Sequence, residues 1–217
     1  MSTQIQVRNT LLARARASLS SDDCMAIYDE WATSYNEDVA QAAHDYVAPA
    51  LVAQIVFKSS SKPTESWVLD AGCGTGLVGQ ALALGGVKTI DGLDLSPAML
   101  KVAKETGVYQ NLTKADLTRR IEKPDETYDI VTCVGTFTHG HVGPSPALRE
   151  FIRITKYHGL VIVTVIEDIW VSGGFKAEVE KMASESLVQV IAEELIDYVK
   201  GRHDKAMMIV LERISST

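Results

Sequence analysis

The segment Gly72-Cys73-Gly74-Thr75-Gly76 constrains this chain more than any other. It follows the apolar run Trp67-Val68-Leu69 and Asp70, and it precedes Leu77, Val78, Ala81, Leu82 and Leu84, which recur at helical spacing up to Gly85-Gly86. Pattern and breakers together predict a strand over 67–70, a glycine loop and a helix. Glycines at such a junction permit φ > 0 and let the backbone approach a ligand with no Cβ between them. The first N–H groups of the helix aim into the same space, which suits an anionic group. A turn that needed only tightness would be served by one glycine, so three at alternate positions point to a bound ligand.

Beyond the loop, strand-length apolar runs alternate with helical patterns. Strands are expected over 88–93, 109–115, 128–134 and 160–166; Ser96-Pro97 supplies a capping hydroxyl and a first-turn proline for a helix that Gly107 closes. A helix over 175–184 and strands over 187–198 and 206–212, joined by a turn at 201–204, complete the pattern, the last two strands antiparallel to each other. Alternation of this kind predicts an α/β fold, a doubly wound and mostly parallel sheet with helices on both faces. Ahead of it, helical patterning at 11–18, 24–31 and 49–57 makes residues 1–62 a helical arm, separated by the serine-rich link 58–62 and Pro63 from a core at 63–217, one structural domain overall. Tyr28, Trp31, Tyr35 and Tyr46 are concentrated in that arm. They either pack it onto the core or act as a lid over a ligand of mixed polarity, a use suited to aromatic rings with polar tips.

A chain of 217 residues is one domain by length, and 46% hydrophobic with 23% charged residues describes an ordinary globular protein. Twenty-one Lys+Arg against 28 Asp+Glu give a net charge of −7, which argues against a broad electrostatic grip on nucleic acid. Cys24, Cys73 and Cys133 are odd in number and widely spaced, so neither a disulfide framework nor a metal clip is in view. The first twenty residues carry charges throughout and lack the apolar stretch of a secretory signal. No apolar segment approaches the ~20 residues that cross a bilayer as a helix. The expectation is a reduced, cytoplasmic protein with no membrane or nucleic-acid partner.

Gly74-Thr75-Gly76-Leu77-Val78-Gly79 formally fits the GxGxxG dinucleotide fingerprint. In that fingerprint the first glycine follows the strand at once and meets a pyrophosphate. Here Asp70 stands at the strand end, where its charge would oppose a diphosphate. The same carboxylate suits a ligand with an ammonium group, and S-adenosylmethionine has one, with a sulfonium cation and a carboxylate besides. Asp94, closing the second strand, can accept both hydroxyls of a ribose, which fits either cofactor. Asp116-Leu117, after the third strand, offers an acceptor for an adenine amino group and an apolar neighbour for its ring, or else Asp116 caps a turn.

VLDAGCGTG (68–76), IDGLDLS (90–96), ADL (115–117) and YDIVTCVGTF (128–137) resemble the successive cofactor motifs of class I S-adenosylmethionine-dependent methyltransferases. More narrowly, YDEWATSYNEDV (28–39) and GTFTHGHVGPSPALREFIR (135–153) are similar to the methyltransferase-like family related to the Williams-Beuren-region protein. The resemblance implies a seven-stranded Rossmann-like methyltransferase sheet with an antiparallel final strand, and S-adenosylmethionine as cofactor. By position it implies that Asp70, Gly72, Cys73, Gly74 and Gly76 surround the methionine portion, Asp94 the ribose, and Leu95, Asp116 and Leu117 the adenine. Tyr28, Trp31 and Tyr35 would fold over the cofactor, and Cys133 to Thr136 would line the wall beside the sulfonium. Tyr157-His158-Gly159 departs from the family's usual Pro-Gly-Gly, in what reads as a turn before the fifth strand.

Methyl transfer from a sulfonium needs chiefly an aligned nucleophile and exclusion of water, and a base only when the nucleophile arrives protonated. His139 and His141 follow the fourth strand, on the side where doubly wound sheets place their ligands. They are the candidate catalytic residues, with loop-stitching or orientation as the competing use. No carboxylate or cysteine nearby in sequence completes a metal site with them, so no metal is expected. Loops at 135–147 and 167–175, with Ile169, Trp170, Val171 and Phe175, favour a small, partly hydrophobic methyl acceptor, at oxygen (hydroxyl or carboxyl) ahead of nitrogen or sulfur. Trp170 serves equally as a core residue. Protein or RNA methylation, and cofactor binding without methylation, are the alternatives. The sequence leaves the oligomeric state open.

Overall fold

The computed structural model describes residues 46–140, 142–199 and 204–214, together with Ile27. Helix α1 (Ala48–Ser59) leads through a 3-10 turn at Pro63–Glu65 into β1 (Trp67–Ala71), then α2 (Leu77–Leu84), β2 (Thr89–Asp94), α3 (Pro97–Glu105), β3 (Asn111–Lys114) and β4 (Tyr128–Phe137). The chain continues through α4 (Ala147–Ile154), β5 (Thr155–Ile166), α5 (Glu167–Trp170), α6 (Phe175–Ser184), β6 (Val188–Val199) and β7 (Asp204–Arg213). The seven strands form one sheet in the order β3-β2-β1-β4-β5-β7-β6. β1 to β5 pair in parallel, and β7 runs antiparallel to both β5 and β6. The doubly wound sheet and its antiparallel last strand therefore match expectation.

Successive strand residues feed two apolar layers, as the period of two requires. Val68, Ile130, Val134 and Ile162 face α1 and α2 through Val52, Val56, Val78 and Leu82. Leu69, Val131, Cys133, Phe137 and Val163 face α4 and α6 through Phe151, Ile152, Phe175 and Met182. Helix α1 is thus embedded in the same core as the sheet. It also runs through Lys58 and Ser59, so the expected link at 58–62 is shorter than its serines suggested. Lys58 lies in the last turn of α1, where a cation suits the helix dipole.

Three further differences have identifiable causes. Tyr109 lies outside β3, because its ring turns inward beneath α2; Gln110 N–H still donates to Ile90 O at 2.7 Å. β4 continues past Val134 to Phe137 through a register shift, with Gly135 at φ +81°, and delivers Phe137 to Phe175 at a ring separation of 4.9 Å. β5 begins at Thr155, so Tyr157-His158-Gly159 is strand with His158 at φ +61° and not a turn. Buried Arg213 tethers this extension by donating to Thr155 O and Arg153 O. Trp170 and Phe175, offered above as acceptor surface, are 6% and 2% exposed and belong to the core, while Val171 is 70% exposed.

Candidate active site at the strand ends

Strand order reverses between β1 and β4, and ligands of open α/β sheets bind outside the carboxyl ends of the strands at that point. Register aligns Asp70 with Gly92 of β2 and Thr132 of β4. The glycine loop leaves β1 there and is latched to β2: Gly72 N–H and Cys73 N–H donate to Leu93 O at 2.7 and 2.8 Å, and Gly74 N–H donates to Asp94 Oδ2 at 2.8 Å. Gly72, Gly74 and Gly76 have φ of +72°, +53° and +97°, so the loop needs glycine for its backbone alone. Gly72 also packs directly on Thr136, leaving no room for a Cβ, whereas the Cβ side of Gly74 faces open space. Gly76 provides the N-terminal residue of α2 with no side-chain cap.

Asp94 is half-buried, and desolvation raises its pKa against the pull of backbone N–H donors. Its other oxygen accepts from Ser96 N–H at 2.8 Å, and Ser96 Oγ in turn caps α3 by accepting from Met99 N–H at 3.2 Å. Asp70 is 1% exposed. Tyr109 Oη donates to its Oδ2 at 2.7 Å and Thr132 Oγ1 to its Oδ1 at 3.4 Å. Burial, reinforced by the charge of Asp94, pushes its carboxyl up to about 7 despite those donors. Asp70 therefore acts from beneath the loop, its carboxylate turned toward Tyr109. Burial likewise raises the Cys73 and Cys133 thiols, which leaves both as packing groups rather than nucleophiles.

Leu117 is buried and Leu95 half-buried at the ends of β3 and β2. Asp116 closes a turn, accepting from Thr118 N–H at 2.9 Å and Thr118 Oγ1 at 2.6 Å, and it pairs with Arg119 at 3.2 Å. His139 is exposed past the end of β4, its Nε2 3.6 Å from Asp168 Oδ2 of α5. Tyr28, Trp31, Tyr35 and His141 lie outside the described residues. Thr75 is buried, and its hydroxyl has no hydrogen-bond partner among the described residues.

Sequence reasoning missed Tyr109, Asp168 and the pairing of Tyr46, named above only as an arm aromatic, with Tyr198. Tyr109 fills the space between β1, β2 and α2, and Gly79 and Gly92 are small to admit its ring. Tyr46, before α1, and Tyr198, near the end of β6, meet with Tyr46 Oη 3.3 Å from Tyr198 Oη, both over Gly135. Asp168 approaches His139 from α5. The glycine at 79 was a signal for Tyr109, since a fourth glycine within α2 serves no turn; nothing in the linear order joins Tyr46 to Tyr198.

A methyltransferase domain family matches residues 68–159. Methyltransferase-like protein 27 of Homo sapiens is 37% identical over 157 residues, covering 70% of this chain and 62% of that protein. Ubiquinone biosynthesis O-methyltransferase of Pseudomonas savastanoi pv. phaseolicola is 38% identical over 106 residues, covering 46% of this chain and 44% of the enzyme. The chain thus spans less than two thirds of the curated relatives it matches. A solved putative S-adenosylmethionine-dependent methyltransferase of Methanococcus maripaludis shares the fold, with a TM-score of 0.60 and 17% identity over 87% of this chain and 94% of that one. Motif, topology and relatives agree: the chain belongs to the class I S-adenosylmethionine-dependent methyltransferases, and S-adenosylmethionine is its cofactor.

Proposed function

We propose that this protein works in the cytoplasm and transfers the methyl group of S-adenosylmethionine to an oxygen, hydroxyl or carboxyl, of a small, partly hydrophobic molecule, releasing S-adenosylhomocysteine. The observation that carries the methyl-transfer reading is the pair of carboxylates, buried Asp70 and half-buried Asp94, on either side of the loop at Gly72 to Gly74. Their charges suit a doubly cationic ligand and oppose a diphosphate. The residues present fit the cofactor: Asp70, Gly72, Cys73, Gly74 and Gly76 toward the methionine portion, Asp94 toward the ribose, Leu95, Asp116 and Leu117 toward the adenine, and Cys133 in the wall of β4. Tyr28, Trp31 and Tyr35 of the arm (residues 1–62) complete the set as a lid on the core (63–217). When bound, the cofactor supplies a methyl group on a cationic sulfur, electrophilic enough to need no metal.

The chain's own work is then to hold, orient and exclude water. His139, with Asp168 Oδ2 3.6 Å from its Nε2, would take or steer a proton, and His141 follows two residues on. Relatives that act as O-methyltransferases in ubiquinone biosynthesis support oxygen as the acceptor atom, and the acidic balance supports a small molecule over nucleic acid. The test is incubation with methyl-labelled S-adenosylmethionine and a panel of hydroxyl- and carboxyl-bearing metabolites, peptides and RNA. Label on a small-molecule oxygen is expected. Label on peptide or RNA alone, or none anywhere despite cofactor binding, rejects the proposal. With the acceptor in hand, His139→Ala and His141→Ala are expected to lower turnover by ~10²-fold in the one that serves as base; turnover within a factor of about three in both excludes histidine base catalysis.

A further inference from the structure

Tyr109 sits at a junction that no motif marks. Its ring lies against the backbone of Gly76, which caps α2, of Gly79 within α2 and of Gly92 in β2; a Cβ at any of the three would crowd or overlap it. Its hydroxyl is the closest donor to Asp70, at 2.7 Å, while Thr132 reaches the opposite oxygen at 3.4 Å. Three separate elements thus owe their spacing to one side chain, and all three border the glycine loop.

We propose that Tyr109 is a positioning residue of the cofactor site: its ring sets the distance between the start of α2 and the end of β2, and its hydroxyl holds the Asp70 carboxylate beneath the loop, so that affinity for S-adenosylmethionine depends on that hydroxyl. The proposal rests on the reading of Asp70 as the charge facing the methionine portion. Among the described residues, the titratable groups facing Asp70 are Tyr109 before β3, Asp94 on β2, Cys73 in the loop and Cys133 on β4. Of these, only the Tyr109 phenol donates to its carboxylate and favours ionisation; Asp94 opposes it. A cationic ligand binds better to the ionised acid, so affinity rises with pH until Asp70 is ionised in the free protein. Loss of the phenol raises the pH at which that happens.

The measurement is calorimetric titration of the full chain with S-adenosylmethionine between pH 5.5 and 8, for wild type, Tyr109→Phe and Asp70→Asn. In parallel, the carbon-13 shift of the Asp70 carboxyl is followed against pH without cofactor. Tyr109→Phe is expected to bind about fivefold more weakly at pH 7, because a one-unit rise in the Asp70 titration leaves about a tenth rather than a half of it ionised there. Its Asp70 titration is expected to move upward by about one pH unit. Asp70→Asn is expected to abolish the pH dependence. An unshifted Tyr109→Phe beside a flat Asp70→Asn overturns the role of Tyr109 and leaves the Asp70 reading standing. An Asp70→Asn variant that keeps the wild-type profile overturns both. Should Tyr109→Phe fail to fold, fluorotyrosine at position 109 keeps the ring and strengthens the donor. It is expected to move the titration downward, and an unmoved titration overturns the proposal.

Discussion

Asp70 is a carboxyl whose folded environment works against its charge. Its pKa rises from 3.8 to about 7, first through burial and then through the nearby Asp94. The sign of the linkage follows: a carboxyl that binds its proton more tightly when folded favours the folded state at low pH. That contribution is lost as pH climbs from about 4 to about 7. Asp70→Asn is therefore expected to raise unfolding free energy at pH 8 relative to wild type, by an amount on the order of 2 kcal/mol, while weakening cofactor binding. Chemical denaturation at pH 5 and pH 8 checks it, since the gain must be larger at pH 8 than at pH 5 by the part of the contribution lost between the two. Asp94 differs, because each of its oxygens accepts a backbone N–H from a loop it latches. Asp94→Ala is expected to weaken S-adenosylmethionine by ~1.5 to 3 kcal/mol, the loss of a charged acceptor. Unchanged affinity by calorimetry would remove Asp94 from the ribose site. The positions of both aspartates at strand ends were legible because each closes a strand predicted from its apolar run. Their partners were not, since Tyr109 reaches Asp70 across 39 residues of chain.

At the scale of elements, the loop and α2 behave as one piece with the ring of Tyr109. Gly79 is buried within α2, and a methyl group there would overlap that ring. Gly79→Ala improves local helix propensity by ~1 kcal/mol, yet the overlap is expected to outweigh it. The expected outcome is net destabilisation of about 1 to 3 kcal/mol, with weaker cofactor binding. Thermal melts with and without Tyr109→Leu check this, because the smaller side chain should relieve the Gly79→Ala cost. Helix and strand positions for β6, β7 and α6 lay within two residues of those read from apolar periodicity, the turn chemistry being strong on both sides. The ends of β3 and β4 were misread for one reason in two forms. Tyr109 stays outside β3 to pack against α2, and Gly135 carries β4 on through a register shift beneath the Tyr46–Tyr198 pair; only the first of these contacts left a local sign, Gly79.

For the whole molecule, the proposed site at the ends of β1, β2 and β4 predicts that the cofactor stabilises the fold on binding. At a cofactor concentration 100 times Kd, binding adds ~2.7 kcal/mol to stability, or roughly 5 to 10 °C in Tm for a chain of this size. Differential scanning calorimetry checks that expectation, and Asp94→Ala should flatten it. Among the described residues no helix is long and apolar enough to cross a membrane, and no group of three His, Cys, Asp or Glu gathers as a metal site. By itself the sequence determined the glycine-rich strand-loop-helix after β1, the alternation that makes a doubly wound sheet, and the two aspartates at its strand ends. Those are local properties: backbone freedom at glycine, periodicity of burial, and charge at a chain position. The tertiary structure alone decided that burial lifts the Asp70 carboxyl to about 7, that Tyr109 and Gly79 form one fitted contact, that Tyr46 meets Tyr198 over Gly135, and that Trp170 and Phe175 are core. Each of these depends on groups far apart in sequence sharing a few ångströms of low-dielectric space.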